Sequence, residues 1–360
     1  MSSTRYWRLA TAAVLIVLWG LALLNTPEKK GGGWGSGSDF GYQPDPQGAK
    51  AFAESLPALS FAAAAPDAMK KAEHVDTFLH RAMDKAHRAR YGKPFSPERQ
   101  GIGDCVSWGA AHAIFCAEAI EWELGNRDEP PIFPSTEVLY GGSRVEARGK
   151  PGDGSKPVGG WSDGSTGYAA AKWLRDWGVV YREQYRLKKK GGVGVEVLDL
   201  RDYSSDRAKS FGAYGAGGKG DEGRVDAIAK QTPCSHVVNV KTWDEVAAAI
   251  TSGFPVTIAS SQGFNKTRDS DGFCRPQGTW RHQMCLVSIR FGDRPGALCV
   301  NSWGDYCDGG KFPDDQPDGS FWIDKATVER IIQQGDSWAI GETAFRWRDI
   351  RHDNWLGTEP

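Results

Sequence analysis

The hydrophobic pattern divides the chain into segments of different kinds. From Leu9 to Leu24 it reads LATAAVLIVLWGLALL, sixteen residues without a charge, preceded by Arg5 and Arg8. As a helix this run covers about 24 Å, slightly short of a bilayer core unless Tyr6 and Trp7 extend it. Its exit, LALLNTPEKK, offers no small-x-small cleavage site. Residues 1–28 are therefore read as a retained transmembrane anchor in preference to a cleaved signal segment. The body of the protein is then expected outside the cytoplasm, membrane-anchored or, if the segment is removed, secreted. The flanking charges do not settle orientation, because Lys29 and Lys30 balance the two arginines.

Residues 29–65 open with a Gly/Ser/Pro-rich stretch and are expected to be a flexible linker. Residues 66–92 have helical character with Gly92 as a stop, and are read as an N-terminal extension that braces the domain rather than an inhibitory segment over a cleft. From residue 93 to 360 the pattern is that of a globular body. A helix is predicted to begin at Cys105, with Ala110, Ile114, Ala117 and Ile120 on its apolar face and Gly125 as terminator. A second follows the cap Ser165/Thr166, with Ala170, Trp173, Leu174 and Trp177 at i, i+3, i+4, i+7 spacing and Gly178 at its end. A third opens at Thr242 with Glu245 in capping-box spacing and stops at Gly253. After it come short strand-like runs, PVTIAS, HQMCLVSI, ALCVNSW and SFWID, separated by turn residues. Helices first and strands afterwards predict an α+β chain of two lobes with a cleft between them. The Gly/Asp/Lys-rich stretch Gly191 to Gly223 is read as an inserted surface loop.

Charge and composition narrow the function classes. A net charge of −1 with interspersed signs gives no electrostatic footprint for nucleic acid, and Lys188–Lys190 run into glycines as a solvated loop. His74, His80 and His87 stand six and seven residues apart, whereas metal pairs on a helix need three or four, so they are read as surface residues. Seven cysteines (105, 116, 234, 274, 285, 299 and 307) include no CxxC pair, so neither a zinc ribbon nor a thioredoxin-type site is expected. No metal or cofactor is called for. An oxidising compartment would permit up to three bridges, with the pairing open.

Cys105, in GIGDCVSWGAAHA, is a candidate nucleophile because a helix N-terminus favours an anionic sulfur. The base must come from elsewhere. His112 lies seven residues along the same helix, about 10 Å away by helical rise, and is read as packing. His282 heads a strand and can face a cleft; His236 is second choice, and His352 lies in a polar tail. Asn301, closing a strand before Ser302-Trp303-Gly304, can orient an imidazole without adding charge.

In order along the chain, QGIGDC, GGWSDGSTGYAAAKWLRDWGVVYREQY, WDEVAAAITSGFPVTIAS, the histidine strand, NSWG and GSFWID resemble the landmarks of the papain-like cysteine peptidases, in the manner of a divergent bacterial or viral member. The resemblance runs from about Pro94 to Asp324. It implies a helical lobe and a β-barrel-like antiparallel lobe with the active-site cleft between them. It also implies Cys105 as nucleophile, His282 as proton acceptor and donor, Asn301 as its orienter, Gln100 as oxyanion donor and Trp303 as a shield over the His–Asn contact. The implied reaction is peptide-bond hydrolysis through an acyl-enzyme, on a peptide or protein substrate. Acyl transfer by the same residues and a catalytically silent peptide-binding scaffold are the alternatives. Three departures stand out: Gln100 precedes Cys105 by five residues where six is usual, Asp104 adjoins the nucleophile, and NSWG is followed by DYCDGG. Gly159-Gly160 is expected to mark one wall of the substrate cleft.

Overall fold

The computed structural model describes residues 40–350 except 73, 149–162, 190–191, 222 and 235. The apolar run Leu9–Leu24, the Gly159-Gly160 pair and His352 lie outside the described residues, and no described helix is long and apolar enough to cross a membrane. In chain order the elements are α1 (Pro46–Glu54), α2 (Phe61–Ala64), α3 (Pro66–Lys71), β1 (Thr77–Phe78), α4 (His80–Tyr91), α5 (Cys105–Glu123), α6 (Thr136–Arg144), α7 (Gly167–Asp176), β2 (Gln184–Lys188), β3 (Val195–Asp199), α8 (Ser205–Tyr214) and α9 (Arg224–Ala229). Then follow β4 (His236–Asn239), α10 (Trp243–Thr251), β5 (Val256–Phe264), β6 (Thr267–Arg268), β7 (Pro276–Arg290), β8 (Gly296–Val300), β9 (Asp308–Gly309), β10 (Phe321–Asp324), α11 (Lys325–Ile332) and β11 (Ser337–Gly341).

The expected helix boundaries have visible causes. Thr166 caps α7 by accepting from Ala169 N at 3.3 Å, and Gly178 beyond its end takes a φ of +116°. At α10, Thr242 Oγ1 accepts from Glu245 N at 3.1 Å while Glu245 Oε2 accepts from Lys241 N at 2.5 Å. The central helix α5 differs from expectation in kind. It is buried around its whole circumference from Cys105 to Glu121, not on one face. Strand β7, helix α4 and helix α6 all pack on it.

The sheet runs β10-β8-β7-β5-β11-β4, with β1 added to β7. Every pairing along that path is antiparallel. It ends at β10 and β4 without joining them, so the β lobe is an open sheet where the resemblance implied a barrel-like one. Strand β7 organises it. Residues Pro276–Arg281 are mostly exposed, and every residue from His282 to Ile289 is buried. Helices α5, α10 and α11 cover this sheet.

Four expectations are corrected. The described part of the 29–65 stretch is no flexible linker. Phe52 packs on Trp338 at 5.0 Å between ring centroids, and Phe61, fully buried, packs on Phe345 at 5.5 Å. These aromatic side chains, hidden among Gly, Ala and Pro, bury enough apolar surface to order the segment. Residues 66–92 are two helices with strand β1 between them, where Phe78 pairs with Ser288. His80 is not a surface residue: it is fully buried, with Nδ1 2.9 Å from Ser288 Oγ. Within 191–223, β3 forms a hairpin with β2, and α8 packs on α6, where Arg207 Nη2 donates to buried Glu137 Oε1 at 2.7 Å.

If the N-terminal segment is part of the core, Phe61→Ala lowers unfolding free energy by about 3–5 kcal/mol, as for other buried Phe truncations. Chemical denaturation of the full chain measures this, and a linker residue would leave the midpoint unchanged.

Candidate active site

Helix α5 places Cys105 at its first turn. Asp104 occupies the N-cap position but makes no side-chain cap bond; its Oδ2 instead accepts from Tyr203 Oη at 2.9 Å. Tyr203 comes from the stretch read as a surface insertion, and also accepts from Gly101 N at 3.0 Å. Burial raises the Asp104 carboxyl to about 8, with the Tyr203 hydrogen bond opposing. The like-charge penalty that Asp104 implied for a neighbouring thiolate is therefore largely removed near pH 7, where the carboxyl is mostly protonated.

Opposite Cys105, at the start of the buried half of β7, stands His282. Its Nε2 lies 2.7 Å from Asn301 Oδ1, which also accepts from Ser302 N at 2.7 Å. The second bond decides the tautomer. A backbone N–H needs an acceptor, so Oδ1 must face both groups, His282 carries its proton on Nε2, and Nδ1 is the free base. Nδ1 has no hydrogen-bond partner, and the contact with the thiol is not closed to hydrogen-bonding distance. The backbone N–H groups of Gln283, Val106 and Cys105 itself favour the anionic sulfur, against the larger effect of burial. Trp303 stacks on the His282 ring at 4.4 Å and 29°, excluding water from the His–Asn contact. Gln100 is tied to the same loop: its N donates to Ser302 O at 2.8 Å and its Oε1 accepts from Ser302 Oγ at 2.6 Å. Cys105, His282, Asn301 and Gln100 thus surround one place in the fold.

That place is covered by residues Phe40–Gln43, which sequence reasoning missed. Gln100 Nε2 donates to Phe40 O at 3.0 Å. Phe40 N and Tyr42 N donate to Arg281 O at 3.1 and 3.3 Å, while Ser165 N donates to Gly41 O at 2.8 Å and Gln43 N to Ser165 O at 2.7 Å. The Phe40 ring sits 4.6 Å from Trp303 and 5.9 Å from His282. This strap leaves Cys105 fully buried and His282 1% exposed. Burial therefore dominates both acidities: it pushes the Cys105 thiol up, and it pulls His282 down to about 4 against the Asn301 hydrogen bond. Under the strap the pair is a neutral thiol and a neutral imidazole. Only the composition of FGYQPDP hinted at this segment, because all its partners are distant in sequence.

The other histidines stay apart. His112 is buried among Trp108, Phe95 and Phe133 with neither ring nitrogen bonded, and burial pulls it down to about 3. His236 lies on β4, an end strand of the sheet, with its ring against Phe345 at 6.2 Å.

The helix that Cys105 opens thus packs on the strand that carries His282, and Asn301 follows directly on the adjacent antiparallel strand, in the chain order that the sequence motifs implied. The order and pairing of these elements follow the papain-like plan that the sequence motifs resemble. No protein-family model matches the sequence, and no curated relative matches it. Among solved structures, the chain is similar to xylellain, a cysteine protease from Xylella fastidiosa, at 19% identity over 84% of this chain and 91% of that one, TM-score 0.44. It is also similar to procathepsin B S9 from Trypanosoma congolense, at 10% identity over 84% and 86%, TM-score 0.48. Bromelain from Ananas comosus matches at 12% identity over 70% and 95%, TM-score 0.39. These are distant likenesses of fold, and the papain-like reading stands on the chain's own elements.

Because the folded-state pKa of Asp104 lies above that of a free carboxyl, its contribution to stability is fully present below about pH 4 and is lost as pH rises toward 8. Asp104→Asn removes that dependence. Relative to wild type, the variant gains stability between pH 5 and 8, by about 1–3 kcal/mol at the upper end. Thermal unfolding across that range tests it; parallel pH curves for the two proteins would refute the burial reading.

Proposed function

We propose that the chain is a cysteine-type peptidase held latent by its own residues 40–43. One observation supports the reading: the side-chain amide of Gln100, which also donates to Ile102 O at 2.8 Å, donates to a peptide carbonyl of the strap, that of Phe40, whose ring lies 5.9 Å from His282. A donor that holds a main-chain carbonyl there can hold the oxyanion formed from one. Once the strap leaves, water enters, the burial penalty on both groups falls, and the Cys105 proton passes to His282 Nδ1. The thiolate attacks the substrate carbonyl, and the charge that develops on its oxygen is met by Gln100 Nε2 and the Cys105 backbone N–H. His282 gives its proton to the leaving amine, an acyl-enzyme remains, and water activated by His282 releases the acid. Asn301 keeps the ring in the tautomer this requires. The substrate is a peptide or protein chain. Residues 1–28 hold the domain to the outer face of the membrane, or release it if they are removed.

Gly41 supplies a clean test. Its φ is +116°, and a Cβ there would lie 2.1 Å from Gly103 O, so alanine cannot occupy the docked strap. Expelling it relieves a clash and backbone strain worth more than about 1.4 kcal/mol, so Gly41→Ala reacts with a thiol-directed active-site probe at least about tenfold faster than wild type. It also hydrolyses a fluorogenic peptide, and Cys105→Ala or His282→Ala in the same background abolishes both. Probe uptake without hydrolysis would point to acyl transfer. A folded Gly41→Ala protein that takes up no probe would end the peptidase reading.

A further inference from the structure

Away from Cys105, two buried thiols meet. Cys274 Sγ lies 3.7 Å from Cys307 Sγ, with the residues 2% and 4% exposed. Both stand in connections: Cys274 between β6 and β7, Cys307 immediately before β9. The parallel pairing of β6 with β9, Thr267 opposite Asp308, sets the two connections side by side. Cys274 N is further held by Trp322 O at 3.1 Å, and Asp308 N by Lys266 O at 3.0 Å. No other two thiols among the described residues are joined by a hydrogen bond. Cys299 Sγ packs on Met284 Sδ at 3.5 Å from within the β7–β8–β10 ladder, and Cys234 Sγ faces Gly341 O at 3.5 Å.

We propose that Cys274 and Cys307 are the chain's disulfide pair, closed by exchange with a disulfide oxidant such as glutathione disulfide, and that the bridge anchors the loop carrying Asn301 and Trp303. Two sulfurs at 3.7 Å touch without bonding. A bond of about 2.05 Å needs roughly 1.7 Å of closure, shared between two residues outside long strands. In the exchange, the thiolate of one cysteine attacks the oxidant's S–S bond and expels one small thiol. The second cysteine's thiolate then displaces the other, so two protein thiols and one oxidant disulfide give one protein disulfide and two reduced thiols. In the folded chain both sulfurs are shut away, and the Cys274 contact and burial hold the Cys307 thiol protonated. The exchange therefore belongs to folding, before the connections close over the sulfurs, and the finished bridge is sheltered from reductant. Its mechanical reach is short. Tyr306, next to Cys307, packs edge-on against Trp303 at 4.9 Å and Trp280 at 6.0 Å, and Trp303 covers His282.

The inference does not rest on peptidase activity, so its test needs none. The full chain is refolded in a glutathione redox buffer, denatured, and its remaining thiols blocked with N-ethylmaleimide. Of the seven cysteines, all unpaired in the described structure, five take up the reagent and peptide mapping without reduction finds 274 joined to 307. Refolding in dithiothreitol in place of the redox buffer lowers the melting temperature by about 5 °C or more, and makes no such difference to Cys274→Ser or Cys307→Ser. Seven blocked thiols, or a bridge to Cys299 in place of either residue, would overturn the proposal. The mapping uses only wild-type protein, so it decides the question even where a variant fails to fold.

Discussion

The close approach of helix α5 to strand β7 is the constraint on which the rest depends. Gly109 permits it: a Cβ there would stand 2.9 Å from Gln283 Cγ and 3.2 Å from the Met284 carbonyl. Gln283 Nε2 then donates to Val106 O at 3.0 Å, locking the first turn of the helix to the residue that follows His282. Neither element could place its reactive group alone. The helix end supplies a sulfur and the strand supplies an imidazole; the distance between them is set by how closely two backbones pack.

The same packing explains the electrostatics. A helix buried on every side gives its N-terminal residues no solvent, so the acidities of Asp104, Cys105 and His282 are all governed first by desolvation. Partners only moderate the effect: Tyr203 for the carboxyl, the Gln283 N–H for the sulfur, Asn301 for the ring. The charge state of the site is thus controlled by what covers it, and residues 40–43 are part of that cover.

Much of this was legible in the sequence. Cys105 at a helix start, the Thr166 and Thr242 caps, the glycine stops, the strand bearing His282 and the strand that leads into Asn301 all announce themselves through local chemistry, and local signals are what a sequence displays. The misreadings share one cause. Residues 40–43 hold their shape through bonds to residues 100, 165 and 281, and His80 is buried because β1 pairs with β7 more than two hundred residues away. Helix α6 does not announce itself, because its Gly141-Gly142 pair resembles a turn. In the fold those glycines admit Gly215 and the Trp173 ring, which a Cβ would meet at 2.7 and 2.2 Å. The open sheet was equally hidden, since edges are a property of pairing, and pairing is not written in any single strand.

Covalent attachment of the strap to the domain it covers has a kinetic corollary. A separate inhibitor dissociates when diluted, whereas a tethered one meets its site at a local concentration of order millimolar at any protein concentration. Helix α1 begins three residues after Gln43 and is fastened through Phe52 and the Tyr168–Asp45 hydrogen bond at 3.0 Å, so the tether is short and well anchored. Secretion or dispersal alone would not free the thiol. Release requires something that acts on the chain itself: a cut, a pull, or a competitor present in great excess.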